Sequence, residues 1–455
     1  MKLFAKHALL AQGWARDVVI EVNAEGVIDG VQSNSSADGA QVLDGVLLPG
    51  MTNLHSHAFQ RAMAGLTEYR QHEQDSFWSW RELMYRFAAN ITPEQLQHIA
   101  HWLYIEMLKA GFTGVCEFHY LHHDRDGNAF TDPAEMSQRI VNAANASGIA
   151  LTHLPVLYRY AGFGQQVPKP GQKRFIHDME SYQRLLESLQ KTLGSSRHQL
   201  GIAPHSLRAV DEDSLRRALV MIDALDNNAP IHIHIAEQQQ EVQDSLQFSG
   251  ERPVQWLQRR FDVNRRWCLV HATHINEEER QALARSGAVA GICTTTEANL
   301  GDGFFPIANY CQDGGAFGVG SDSNVSVSLV EELRWLEYGA RLQAQRRAVL
   351  SNTEESVGQY LYSRAVRGGA LASGRKTGAI AVGHSADLIV LQESELSDSP
   401  LPTARHLDHW LFVGHSARVR DVFVAGKHVV ADGRHADEET AWQRYQSTLK
   451  VLLQS

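Results

Sequence analysis

Eight short apolar runs, separated by stretches of helical periodicity, constrain the fold of this 455-residue chain more than any other feature. They are 46–54, 114–118, 150–157, 200–204, 230–235, 267–270, 288–293 and 316–320. Strand-length runs alternating with amphipathic stretches argue for a parallel sheet with crossover helices. The clearest helical stretch is 93–110, where Thr92 suits the N-cap, Pro93 the first helical position and Gly111 the stop. Segments 135–146, 181–193 and 213–225 read the same way. Eight such units predict an α/β chain folded as a (β/α)8 TIM-like barrel, which puts catalytic residues at the C-terminal strand ends.

A barrel of this type needs ~250 residues, so part of the chain is left over. The leftover parts at both ends are β-rich: 17–22 and 26–28 near the start, then 378–383, 386–391 and 419–426 near the end. Chain termini of one domain often lie close together. The expected organisation is therefore a small β-sandwich-like satellite domain formed by both chain ends (1–46 and 375–435), the barrel (47–374) and a C-terminal helix (436–455). That helix carries Trp442, Tyr445, Leu449, Val451 and Leu452, a face that suits either its own barrel or a second subunit.

Composition excludes some functions. The net charge of -10 and the lack of a Lys/Arg-dense run argue against nucleic acid as a partner. No run of ~18 apolar residues suits a membrane span, and the N-terminal apolar patch is broken by Gln12, Gly13 and Trp14, unlike a secretory signal. The cytoplasm is the expected location. Cys116, Cys268, Cys293 and Cys311 form no Cys-x-x-Cys pair and read as reduced thiols.

The strand ends carry the chemistry. The first run leads into His55-Ser56-His57, the fifth into His232-Ile233-His234 and then Glu237, the sixth into His271, and the eighth into Ser321-Asp322. Side chains two residues apart on a strand share a face, so His55 and His57 read either as half of a zinc site or as satisfied core or loop histidines, and a barrel brings all four ends to one rim, which favours the first. His232 shares the face of His234 and reads as either an outlying or a core histidine. Asp124-Arg125-Asp126-Gly127-Asn128 suggests calcium superficially, but Ala129 stands where an EF-hand loop needs glycine. The long segment 58–91 breaks the rhythm of the barrel, and Phe77, Trp78, Trp80 and Arg81 within it suit either a lid or simple packing. Arg81, Arg61 and Arg208 near the expected mouth of an acidic protein point to a small anionic substrate, because guanidinium forks pair with carboxylates.

These motifs together, Pro49-Gly50 leading to His55-x-His57, then His234-x-x-Glu237, His271 and Ser321-Asp322, resemble the amidohydrolase superfamily in its one-metal, deaminase-like branch. The C-terminal stretches 383–388 and 422–427 fit as well, so the resemblance covers nearly the whole chain. It implies that His55, His57, His234 and Asp322 hold one divalent metal ion, with zinc the first expectation, and that Glu237, His271 and Asp322 handle protons. No lysine lies between Lys191 and Lys376, so the carboxylated lysine that bridges two metals in some relatives is missing. The stretches LHSHAFQRAMAGLTE, CEFHYLHH, APHSLRAV, HIHIAEQQQEV and VGSDSNVSVSLVEELRWLEYGARL are similar to the members that deaminate N-formimino-L-glutamate in histidine degradation. That likeness implies that Arg208, Gln60 and Tyr120 grip one carboxylate and Arg81 the other, that His205 lines the pocket, and that the enzyme is a homodimer. A purine or other heterocycle is the alternative substrate class, and a non-catalytic scaffold the alternative role.

Overall fold

Gly50 divides the first apolar run into two strands. A side chain there would collide with Thr113, and the Gly50 amide donates to Asp387 O at 2.8 Å. The run expected as one strand is therefore two: Gln41–Pro49 joins the chain-end sheet, and Met51–Ser56 opens the barrel. The expected border at 46/47 falls inside the first of them. The computed structural model describes residues 1–68, 77–193, 198–392, 402–413 and 418–454, with the side chains of 77–79 outside the description.

Eight strands from both chain ends form one sheet, in the order Arg434–His435, Lys427–Ala431, Val419–Val424, Leu388–Leu391, Gln41–Pro49, Lys2–Leu10, Gly13–Val22 and Ile28–Gln32. Alternation gives it two apolar faces. Leu47, Leu388 and Val390 join a core with Leu3, Val18 and Ile20, while Val46, Leu48, Ile389 and Leu391 face the barrel's own core. The sheet curls until Val27 bridges Ser385. The stretch 378–383, expected as a strand, is irregular. Gly378 and Gly383 at its ends have φ of 76° and 81°, which bend the chain, and only Ile380 is sunk into the core.

The barrel strands are Met51–Ser56, Phe112–His119, Ala150–Leu157, the broken pair Gln199–Leu200 and Ala203–Pro204, Ile231–Ile235, Trp267–His271, Val289–Ile292 and Ala316–Val319, and neighbours pair in parallel. Two seams close the ring. Ile202 bridges Ile231 and Ser206 bridges His234 on one side, and Asp322 pairs with the first strand on the other through Asp322 N to His55 O at 2.9 Å and His57 N to Asp322 O at 3.0 Å. The (β/α)8 barrel read from the eight runs is the fold observed.

The helices follow their signals. Pro93–Ala110 starts with a reciprocal Thr92–Gln95 capping box and stops at Gly111 with φ 100°. Glu135–Ser147, Met179–Leu193 and Glu212–Leu225 match their expected stretches to within two residues. The segment 58–91 differs, because its described residues include a 3-10 helix, Ala58–Met63, and an α-helix, Phe77–Asn90. Met84, Phe87 and Ala88 on that helix are buried at helical spacing. The expected aromatics Phe77 and Trp78 lie outside the described side chains. The C-terminal helix Glu438–Leu452 packs on Pro93–Ala110 of its own barrel, with the Trp442 and Trp102 rings 4.8 Å apart and Tyr445 donating to Arg61 O at 3.1 Å. No helix among the described residues is long and apolar enough to cross a membrane.

Candidate active site

Three imidazoles and one carboxylate meet at the closing seam. His55 Nε2 lies 3.2 Å from His57 Nε2 and 3.0 Å from His234 Nε2, and His57 Nε2 lies 3.3 Å from His234 Nε2. Asp322 Oδ1 is 3.3 Å from the Nε2 of both His55 and His57. A neutral imidazole carries one N–H. In His57 and His234 it is placed on Nδ1, which faces Phe118 O at 2.8 Å and His205 O at 3.1 Å. Their Nε2 lone pairs therefore point at each other across 3.3 Å, an arrangement that repels unless a cation sits among them. Tetrahedral zinc–nitrogen bonds of ~2.1 Å imply donor separations of about 3.4 Å, close to those found. The donor set fits one divalent metal ion.

Burial and neighbours tune these groups. Burial holds His55 neutral, down to about 3, and pushes His57 and His234 down too. Burial opposes the Asp322 charge, yet the bond to His55 and the nearby imidazoles outweigh it and keep the carboxyl well below its usual range. The strand ends are sharply bent, with φ of 69° at His271 and 48° at Asp322, which turns both side chains into the barrel mouth. Asn324 Nδ2 donates to His57 O at 3.1 Å and to Asp322 O at 3.0 Å, fastening the two ligand loops together.

His271 and Glu237 stand beside the cluster. His271 Nε2 is 3.8 Å from Asp322 Oδ2 and 3.8 Å from Glu237 Oε1, while its Nδ1 faces Glu297 Oε1 at 3.2 Å. Burial lowers the affinity of His271 for a proton, but Glu237, Glu297 and Asp322 together raise it to about 10. Burial raises Glu237, a shift that suits a proton donor.

The remaining expected residues line one cavity with this cluster: Gln60, Arg81, Tyr120, His205 and Arg208. Gln60 Nε2 donates to Tyr120 Oη at 2.7 Å. The Arg208 side chain is 14% exposed, and although its partial burial opposes the charge, Glu241, 3.7 Å away, and Glu237 keep it protonated. Arg81 reaches Tyr158 Oη at 3.2 Å and lies over the Tyr85 ring. His205 is held well below its ordinary value by burial and by the two arginines, and its ring is 4.9 Å from that of His234. Trp80 also lines the cavity.

One expectation changes, and one open reading closes. Arg61 is tied to Glu106 and to the carbonyls of Asn324 and Val325, so it braces the first loop away from the cavity. His232 Nε2 points down the barrel to Ala372 O at 2.7 Å and is a core histidine. Sequence reasoning missed Glu297, Glu241, Tyr158 and Gln172, the last donating to Tyr158 Oη at 2.7 Å. Glu297 alone left a trace, as the only ionisable residue in the Thr294-Thr295-Thr296-Glu297 run after the seventh strand.

Comparison with known proteins decides the family. The amidohydrolase family pattern matches residues 46–429. The chain belongs to that family. The pattern of the N-terminal domain of formimidoylglutamate deiminase HutF matches residues 2–45 of this amidohydrolase. It is 53% identical to the formimidoylglutamate deiminase of Pseudomonas aeruginosa over 99% of each chain. A crystal structure of an amidohydrolase from Brucella melitensis superposes with a TM-score of 0.95 at 46% identity, over 99% of each chain. A zinc-bound adenosine deaminase from Xanthomonas campestris, 22% identical, shares the fold with a TM-score of 0.81 over 100% of this chain and 98% of that one.

Proposed function

We propose that this amidohydrolase hydrolyses N-formimino-L-glutamate to N-formyl-L-glutamate and ammonia in histidine degradation, with one zinc ion. The carrying observation is that one cavity joins the His55, His57, His234 and Asp322 cluster to two guanidiniums, those of Arg81 and Arg208. A dicarboxylate with a hydrolysable C=N carbon matches both parts. The 53% identity to a formimidoylglutamate deiminase supports the same substrate. An uncharged purine offers these two arginines no carboxylate to pair with.

A divalent cation in this cluster supplies Lewis acidity and makes water nucleophilic near neutral pH. The protein's own groups do the rest. Arg208, with Gln60 and Tyr120 beside it, holds one substrate carboxylate and Arg81 the other, which fixes the formimino carbon over the cluster. Asp322 Oδ2 accepts the proton that water loses on attack. His271, protonated and aimed by Glu297, donates a hydrogen bond to the developing negative charge. Glu237 passes a proton to the departing nitrogen, so ammonia leaves rather than an amide anion. By the same reading the enzyme is cytoplasmic and dimeric and needs neither nucleic acid nor membrane.

Arg208→Ala tests the substrate half. Its kcat/KM for N-formimino-L-glutamate falls by about 10²-fold or more, the loss of a charge-assisted pair inside the cavity. Wild-type enzyme equally active on a neutral formamidine that lacks both carboxylates overturns the substrate assignment.

A further inference from the structure

The two oxygens of Asp322 face different donor sets. Oδ1 is directed to His55 and His57, and Oδ2 is directed to His271 Nε2, 3.8 Å away. Just past the end of the seventh barrel strand, Cys293 is fully buried. Donor atoms of His271, Cys293 and Asp322 all lie within 4.8 Å of one another. The Nδ1 of His271 is engaged by Glu297, which leaves Nε2 as the atom available to this group.

We infer that His271, Cys293 and Asp322 form a second, weaker cation site that takes a soft divalent ion, zinc or cadmium, and blocks turnover when that ion is in excess. Three protein donors and a solvent position make an ordinary zinc coordination number. The sulfur sets the preference, because thiolate favours zinc and cadmium over magnesium and manganese. His271 Nε2 and Asp322 Oδ2 lie 3.8 Å apart, against 3.0–3.3 Å between the imidazoles of the first cluster, so the side chains must close in around the ion. That reorganisation makes the second site fill after the first. On binding, His271 Nε2 and Cys293 Sγ each release a proton to solvent, and Asp322 bridges the two ions. The occupied site takes both the proton acceptor and the hydrogen-bond donor out of the reaction. Loss of turnover rests on the roles given to Asp322 and His271 above, whereas the count of bound ions does not.

Enzyme carrying one equivalent of zinc is titrated with cadmium while bound zinc, bound cadmium, near-ultraviolet thiolate-to-cadmium absorption and ammonia release are followed together. One zinc and one cadmium per chain are expected, with the absorption band rising as turnover falls. Cys293→Ser and Cys293→Ala keep wild-type turnover with one equivalent of zinc, lose the band, and need roughly ten-fold more cadmium for half-inhibition. A wild-type chain that saturates at a single cation without the band overturns the site. Inhibition unchanged in folded Cys293 variants overturns it too. Should neither variant fold, the wild-type ion count and band decide alone. One bound cadmium with its band but undiminished turnover refutes the inhibition and places the error in the catalytic roles.

Discussion

Individual side chains divide into those whose role follows from their own position and those that act through a neighbour. His55, His57, His234, His271 and Asp322 were legible because each stands where an apolar run stops, the one place where a barrel turns sequence position into proximity. Glu297 was not, since it lies 26 residues past His271 and reaches it only through the bend after the seventh strand. His232 was left between an outlying and a core position, because strand parity puts it on the face of His234 but does not encode depth along the barrel axis, and its bond to Ala372 O settles it in the core. Two substitutions separate the roles. Glu237→Gln keeps one equivalent of metal but loses about 10²–10⁴-fold in kcat, the usual weight of a proton-transfer group. Wild-type turnover in that variant removes Glu237 from the chemistry. Glu297→Gln leaves KM near wild type and lowers kcat by roughly 10–100-fold, the range for losing a charge that orients a catalytic histidine. It also moves the upper limb of the pH–rate profile to lower pH, because a carboxylate that holds the His271 proton is gone. An unshifted profile contradicts this.

Elements explain why these side chains can meet. The first and eighth strands touch so closely at the seam that a Cβ on Gly320 would lie 2.7 Å from His55 N. Helix Val357–Ser373 presses on the same seam, with Gly368 leaving no room for a side chain against Phe317 O. Gly320→Ala must therefore push Asp322 away from His55. It costs about 1–3 kcal/mol of stability, and metal content falls with it. Full metal occupancy at an unchanged melting temperature shows that the seam is not what sets the ligand spacing. Periodicity and caps made the helices and eight strands legible, Thr92 and Gly111 most plainly. It misjudged 46–54, where one glycine hands the chain from sheet to barrel, and 378–383, where alternating small residues follow glycine bends instead of a ladder. In 77–90 the helical spacing of Met84, Phe87 and Ala88 was present, but the aromatics drew attention to a loop.

Across the whole molecule, buried neutral histidines link fold and pH. His119, His122, His153 and His177 are packed together outside the metal cluster, with ring centroids 4.6 Å apart for His122 and His177 and 5.5 Å for His119 and His153. Burial holds all four below the ordinary 6.5, and His119 and His177 at about 3. Below pH 6.5 the unfolded chain takes up protons that the folded one refuses. Their stabilisation is therefore complete above 6.5 and drains away as pH falls toward 3. Denaturant unfolding of chelated protein, where metal release plays no part, loses about 1 kcal/mol per imidazole between pH 7.5 and 5.5. Equal stability at the two pH values contradicts the burial of neutral rings.

The central claim is that the barrel mouth couples one metal ion to a dicarboxylate whose formimino carbon loses ammonia. Purified chain loaded with one equivalent of zinc and given N-formimino-L-glutamate, guanine and adenosine in parallel tests it directly, with ammonia and the organic product both measured. The account predicts one ammonia and one N-formyl-L-glutamate per substrate consumed, little turnover of either purine compound, and loss of activity on chelation that zinc restores. Ammonia from guanine or adenosine in preference to N-formimino-L-glutamate, or full activity without metal, would contradict it.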